Sequence, residues 1–175
     1  MSDTRLPEAR TGLQTEFQQL VQAAVYHADG LWGEACFDLY APTLPLNYGF
    51  LVASGIDAAI DSVLRMRFTE DDVAWLQAHP AFGQMASPFF ESLRQFRFQG
   101  DIWSVPEGSI VFPGEPIVQV RAPLHQACLL ETPLTQRVSL GTGVSSRAAR
   151  MVIAAAGHPV VDLSARRCSG PETAL

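Results

Sequence analysis

No lysine occurs in the 175 residues, because all twelve basic side chains are arginine. Chemistry that requires a lysine amine, such as Schiff-base formation or the phosphate contact of a P-loop, is therefore excluded for this chain. Cysteine is also scarce, and Cys36, Cys128 and Cys168 lie far apart. This spacing fits neither a disulfide framework nor a zinc site, and we interpret the three as reduced thiols.

Long apolar runs are missing as well. The stretch 39–52 is interrupted by two prolines, an asparagine and a glycine, and it falls short of the roughly 20 residues that a bilayer span needs. The first eight residues carry acidic side chains and no apolar core, so we expect no secretory signal and a cytoplasmic location. The net charge of −6 disfavours general binding to nucleic acid or to anionic lipid.

The chain length suits one compact unit. Residues 1–11 are polar and aperiodic, which predicts a mobile arm. Residues 12–122 combine helical patterns with short strand patterns and are predicted to form an α+β domain. Residues 123–175 begin a different pattern, a helical region followed by a strand, so we place a domain boundary near residue 122.

Capping residues predict helix boundaries in the first hundred residues. Four helices are expected there, with apolar faces at helical spacing. The predicted signals are a capping box at Thr15-Glu16-Phe17-Gln18, an end at Gly30, and starts at Gly55, at Thr69 with Asp72, and at Ser87-Pro88.

Alternating patterns predict one strand at residues 35–40 and three more after Gly100, at 102–105, 109–112 and 117–121. The last three are separated by proline–glycine turns and are expected to form a small antiparallel unit. The following helical region is predicted to divide at Gly141 and Gly143, and residues 159–163 are predicted to form a buried strand.

Arg166 and Arg167 directly follow that last predicted strand. Ligands bind at the carboxyl ends of strands in parallel sheets, and arginine there holds carboxylate or phosphate groups through a bidentate fork. The alternative interpretation is that both are solvated arginines on the surface.

Seven short segments follow one another from about residue 12 to the end of the chain. They are Thr15-Glu16-Phe17-Gln18-Gln19-Leu20, Phe37-Asp38-Leu39-Tyr40 with Leu44-Pro45, Phe89-Phe90 through to Gly100-Asp101-Ile102-Trp103, Val105-Pro106-Glu107-Gly108 with Phe112-Pro113-Gly114-Glu115-Pro116, Leu130-Glu131-Thr132-Pro133-Leu134, Ala148-Ala149-Arg150, and Arg166-Arg167-Cys168-Ser169-Gly170-Pro171. Their order and spacing resemble the N-terminal portion of a nicotinate phosphoribosyltransferase.

The resemblance implies the α+β N-terminal domain of a type II phosphoribosyltransferase, followed by the first helix–strand increment of an incomplete α/β barrel. It implies transfer of phosphoribosyl from phosphoribosyl pyrophosphate to nicotinate, a step of NAD biosynthesis, with magnesium and often with ATP hydrolysis. Arg166 would fork onto the pyridine carboxylate, and Arg167 would face the phosphate side or support the loop. Such enzymes are generally dimers with active sites between subunits.

Two positions depart from the family pattern. Gln18 stands where the family has a tyrosine that stacks on the pyridine ring, and an amide offers no comparable π-face. Pro42-Thr43 replaces a basic position that commonly follows the first strand, so a phosphate contact is lost. The acceptor is therefore nicotinate or another planar carboxylated base, or the site is silent.

Two further side chains have both a structural and a functional interpretation. His27 lies where the family often has an aromatic residue and is either structural or a stacking contact near the site. Arg147 is either a solvated side chain on its helix or a phosphate contact.

The chain is much shorter than the enzymes of this family, so we expect it to be inactive alone. One hypothesis is a split enzyme, in which a second polypeptide supplies the rest of the barrel and such pairs of chains can dimerise; a truncated chain is the simpler alternative. Alternatives from other classes are a non-catalytic regulatory subunit and a free-standing small-molecule binding domain.

Overall fold

Two small antiparallel sheets and six α-helices make up the part of the chain described by this computed structural model, residues 11–163 and Cys168. Three short 3₁₀ turns join them, at Gly12–Gln14, Pro80–Phe82 and Cys128–Leu130. The helices are α1 (Phe17–Ala28), α2 (Ile56–Arg65), α3 (Glu70–Ala78), α4 (Ser87–Arg94), α5 (Leu124–Ala127) and α6 (Glu131–Ala154), and the strands are β1 (Glu34–Tyr40), β2 (Leu51–Val52), β3 (Asp101–Ser104), β4 (Ile110–Val111) and β5 (Pro116–Pro123).

The larger sheet has the strand order β1–β5–β3, and both pairs are antiparallel. Phe37 lies opposite Val120, and Val120 lies opposite Ile102, so one face of the sheet is apolar. The four strands predicted between residues 35 and 121 are confirmed, but the last three of these do not form one unit. The strand β4 pairs instead with β2, which the sequence did not predict.

Helix starts agree with the capping signals in most cases. Thr69 and Asp72 form the predicted capping box of α3, with the Thr69 N–H donating to Asp72 Oδ2 at 2.9 Å. Gly55 precedes α2 with a φ of 81°, a conformation that favours glycine.

The capping box predicted at Thr15 is wrong. The N-cap of α1 is Glu16, and the Thr15 hydroxyl is buried without a hydrogen-bond partner. The Glu16 N–H donates instead to Thr132 Oγ1 of α6, at 3.2 Å. A tertiary contact thus replaces the expected local one.

The predicted break at Gly141 and Gly143 is also wrong, because α6 runs without interruption through both glycines. Its inward side chains bind the backbone of the β2 region: Ser146 Oγ accepts from the Val52 N–H at 2.9 Å, and Thr142 Oγ1 accepts from the Ser54 N–H at 3.2 Å. These bonds hold the helix against its neighbour, which outweighs the low helix propensity of glycine.

Residues 159–163 form no strand and are exposed, contrary to the prediction. A parallel strand needs a neighbour to receive its backbone hydrogen bonds. The described part of the chain offers this segment none.

The buried core lies between the apolar face of the larger sheet and the helices. It is one continuous cluster to which α1, α2, α3, α4, β5 and the start of α6 contribute. Among the described residues, no helix is long and apolar enough to cross a bilayer.

Candidate functional site

The first turns of α1 and α6 meet in a small polar network. The side chain of Gln19 is almost fully buried; its amide donates to Glu131 Oε2 at 3.2 Å, and its Oε1 accepts from the Thr132 hydroxyl at 3.4 Å. The network fixes the start of α1 relative to α6. Sequence reasoning missed Gln19, although the neighbouring Glu131-Thr132 pair belongs to the family-like segments.

Gln18 is exposed beside this buried residue. Adjacent positions on a helix point about 100° apart, so fixing Gln19 inward presents Gln18 outward. Its carboxamide is available to hydrogen-bond a ligand or another part of the protein. The structure therefore places this predicted site residue on a rigid, accessible turn.

A groove of about 380 Å³ lies between α1, α6 and strands β1 and β5. Phe37 and Tyr26 supply aromatic surface, while its acidic residues are Asp38 and Glu131. Among the described residues, no basic side chain lines the groove. The described lining therefore offers no positive charge to a carboxylated base.

Cys128 also lines that groove. Burial raises the pKa of its thiol to about 12. The thiol is therefore protonated at neutral pH and unreactive as a nucleophile. This agrees with a structural role for this cysteine.

His27 lies near the opposite end of α1, about 14 Å along the helix axis from Gln18. Its ring packs against Trp32 at 4.6 Å and against Phe89 at 5.7 Å between centroids. Trp32 also contacts His125, at 5.1 Å. Burial, together with the nearby His27, lowers the pKa of His125. His27 thus belongs to an aromatic cluster separate from Gln18, and the sequence alone did not link it to Trp32 or His125.

Arg147 is exposed on α6, and its Nε donates to the Gly143 carbonyl at 3.2 Å. Gly143 borders a second groove, of about 280 Å³, which Pro42 and Thr43 also line. Arg147 is not one of the residues that line this groove, and it contacts the groove's edge through Gly143. Its neighbour Arg150 is engaged elsewhere, with its guanidinium 4.3 Å from the Tyr48 ring centre.

Arg166 and Arg167 lie outside the described residues. Within residues 11–163 and Cys168, no three His, Cys, Asp or Glu side chains come close enough together to hold a metal ion. Gln18, His27 and Arg147 occupy three separate places and do not form one enclosed catalytic centre.

The family model that describes the nicotinate phosphoribosyltransferase N-terminal domain matches residues 13–139. A nicotinate phosphoribosyltransferase of Mycobacterium tuberculosis is 36% identical over 162 residues, covering 93% of this chain and 34% of the relative. The human nicotinate phosphoribosyltransferase is 33% identical over 175 residues, covering 97% of this chain and 32% of the relative. The chain spans about a third of the length of these curated relatives.

Solved structures agree with this match. The crystal structure of human nicotinic acid phosphoribosyltransferase superposes with a TM-score of 0.82 at 32% identity, over 91% of this chain and 33% of that one. A nicotinate-nucleotide pyrophosphorylase from Pyrococcus furiosus gives a TM-score of 0.72 at 17% identity, over 99% of this chain and 39% of that one, which shows likeness of fold alone.

Proposed function

Because the chain belongs to the nicotinate phosphoribosyltransferase family, whose N-terminal domain it matches, we propose that it supplies the N-terminal part of a phosphoribosyltransferase. The acceptor is nicotinate or a related planar carboxylated base, and the donor is phosphoribosyl pyrophosphate. The observation that carries the proposal is the 0.82 TM-score to the human enzyme, combined with 32% identity.

In the reaction, the ring nitrogen of the base forms a bond to C1 of the ribose while the bond from C1 to pyrophosphate breaks. The sugar carbon gains positive character and the leaving group takes the electron pair. A protein accelerates this step by aligning the two reactants and by neutralising the departing anion. Magnesium carried by the pyrophosphate would neutralise part of that charge.

The roles proposed for the arginines come from the resemblance of their sequence motif to that of the family. Arg166 would bind the acceptor carboxylate through its guanidinium fork, and Arg167 would face the phosphate side. Gln18 would hydrogen-bond the ring edge where the family has a stacking tyrosine. The contact of Arg147 with Gly143, which borders the groove that Pro42 and Thr43 line, supports a role in replacing the lost basic contact to phosphate.

The remaining walls of the site come from polypeptide beyond these 175 residues, in a longer chain or in a second subunit. The end of α6 supports this proposal. Met151, Val152 and Ile153 are consecutive apolar residues that are 56%, 60% and 64% exposed. Adjacent helical positions point in different directions, so further protein must surround this end to bury all three. We propose that α6 begins an α/β barrel that the additional polypeptide completes.

A non-catalytic regulatory subunit is the second candidate, and one observation favours it. Gln18 lies on an accessible turn where a stacking ring would be needed, and it cannot supply one. The two candidates differ in whether Arg166 matters for turnover in the assembled protein.

Native mass spectrometry of the protein isolated from its own host tests the assembly. We expect these residues to be found with further polypeptide mass, and we expect that sample to convert pyridine carboxylates in the presence of phosphoribosyl pyrophosphate. Particles built of 19.0 kDa chains alone that show full turnover would refute the need for more polypeptide. An assembled sample without turnover on any pyridine carboxylate would favour the regulatory candidate.

A further inference from the structure

Two arginines lie on neighbouring linkers that pack against each other. Arg67 belongs to the linker between α2 and α3, and Arg97 belongs to the linker between α4 and β3. The rings of Phe68 and Phe96 meet edge to face, with 5.7 Å between their centres. Because each arginine is next to one of these phenylalanines in the chain, the ring contact holds Arg67 and Arg97, the arginine pair, in the same part of the molecule.

The neighbours of the arginine pair point inward. Met66 and Phe68 are buried on either side of Arg67, and Phe96 is buried directly before Arg97. Successive side chains of an extended segment point in opposite directions, so burial of these neighbours turns the arginines towards the surface. In agreement, Arg67 is half-buried and Arg97 is exposed.

The two positive charges are close enough to affect each other. Burial, together with the nearby Arg97 cation, lowers the pKa of Arg67. Arg67 nevertheless stays protonated at physiological pH, so the repulsion between the two cations persists. Like charges held close together cost free energy, and an anion between them offsets that cost.

Neighbouring arginines have carboxylate partners, and the arginine pair differs from them. Arg65 pairs with Asp61 at 2.9 Å, and Arg94 pairs with Glu70 at 3.0 Å. Within the described residues, no carboxylate lies at ion-pair distance from either member of the arginine pair. The described part of the chain therefore leaves its positive charge uncompensated.

Each guanidinium of the pair also keeps hydrogen-bond donors for a ligand. Arg67 Nη1 donates to the carbonyl oxygens of Leu64 and Met66, at 3.0 and 2.6 Å. Arg97 Nη1 donates to the carbonyl oxygen of Phe96 at 2.6 Å. These bonds orient both side chains and use Nη1 alone. Within the described part of the chain, the edge formed by Nε and Nη2, which can bind two oxygen atoms at once, is left for an anion.

We propose that the arginine pair binds a phosphate group, either as the free ion or as part of a phosphate monoester. A phosphate dianion balances the two positive charges, and its oxygen atoms accept hydrogen bonds from both guanidinium forks. A carboxylate carries one negative charge and leaves the second arginine uncompensated. The site shares no residue with the contacts proposed for the acceptor and the donor, so it goes beyond the proposed function.

Isothermal titration calorimetry of the 175-residue chain with inorganic phosphate, at an ionic strength held constant with sodium chloride, tests the proposal without any transferase activity. We expect Arg67→Gln and Arg97→Gln each to weaken binding roughly 10- to 150-fold, because each removes charge-assisted hydrogen bonds. Arg65→Gln is the matched control, since Arg65 already pairs with Asp61, and it should leave the affinity unchanged. Circular dichroism checks that each variant folds.

A second titration with glycerol 3-phosphate distinguishes a monoester from the free ion, and binding of either one through the arginine pair supports the proposal. Binding of neither would overturn it. An equal loss of affinity in Arg65→Gln would also overturn it, because the attraction would then be general to the surface. Arg147→Gln should leave binding unchanged. If that variant abolished phosphate binding and Arg67→Gln did not, the ion would occupy the contact proposed for the donor, and the arginine pair would not be a site.

Discussion

The position of Gln18 in the fold is predictable from sequence, whereas the ligand that it contacts is not. Its place on the first turn of α1 follows from the family-like segment around it, and its side chain is exposed. What it binds depends on residues that lie far away in the chain or beyond it. The residue at position 18 therefore determines whether the proposed acceptor site contains a stacking ring.

Replacing Gln18 by tyrosine tests this difference. We expect Gln18→Tyr to lower the KM for nicotinate in the assembled protein by about 2- to 12-fold, because aromatic stacking contributes about 0.5–1.5 kcal/mol. Steady-state kinetics on a series of nicotinate concentrations measures this. Gln22→Tyr, one turn further along α1, is the control; an equal effect of both variants would exclude a specific contact at position 18.

His125 makes stability sensitive to acid. Its pKa is lowered by burial and by His27, so the folded state binds a proton less readily than the unfolded state, in which the pKa is near 6.5. Stability is therefore retained above about pH 6.5 and falls as the pH drops below it. We expect His125→Gln to flatten this loss between pH 7 and pH 5 in urea unfolding curves.

The control for that measurement is His158→Gln, at an exposed position. It should leave the pH dependence unchanged. If His125→Gln retained the full loss of stability in acid, the buried imidazole would not be its source.

The cluster of His27, Trp32 and His125 could not be predicted from sequence, because its members are joined only by the packing of α5 against α1.

At the scale of elements, local signals predicted most helices and strands, and tertiary contacts explain the failures. The capping residues Gly55 and Thr69 correctly predicted where α2 and α3 begin, because a cap depends only on backbone a few residues away. The continuity of α6 through two glycines depends on bonds from Thr142 and Ser146 to a segment about ninety residues away. The strand predicted at residues 159–163 does not form for the opposite reason, since the pattern is present but the described residues supply no strand to pair with it.

Gly141 allows α6 to approach the start of α2. A Cβ atom at this position would lie 2.7 Å from the backbone of Gly55 and Ser54, and backbone cannot move aside easily. We expect Gly141→Ala to lower the free energy of unfolding by about 1–3 kcal/mol, as overpacking does.

Gly143→Ala is the matched control in the same helix, because a Cβ atom at this position would meet nothing within 4 Å. It should stabilise the protein by about 0.5–1 kcal/mol through better helix propensity. Urea unfolding monitored by circular dichroism distinguishes the two. Equal effects of both variants would contradict a close contact at Gly141.

At the scale of the whole molecule, we propose that further protein surrounds the end of α6. We expect Ile153→Asp to weaken assembly with the additional polypeptide, because it sets a charge in the surface to be buried, while the far-UV spectrum stays unchanged. Leu46→Asp, at a residue that is 88% exposed in a loop, should leave assembly intact. Co-purification of tagged chains measures both. Unimpaired assembly of Ile153→Asp would show that this helix end is not an interface.

The fold could be predicted because seven separate sequence segments resemble the family. The arrangement of the site residues could not be predicted in this way. Gln18 and Arg147 were identified one at a time, and the structure places them on different helices. Arg166 and Arg167 lie outside the described residues, so their relation to Gln18 and Arg147 stays a prediction.

Turnover of the assembled protein with Arg166→Ala tests the central claim most directly. Charge-assisted hydrogen bonds contribute about 1.5–3 kcal/mol, so kcat/KM for nicotinate should fall roughly 10- to 150-fold with assembly intact. Arg65→Ala, which removes an exposed arginine paired with Asp61 on α2, should have no effect. Unchanged turnover in Arg166→Ala would contradict the account and remove this chain from the chemistry.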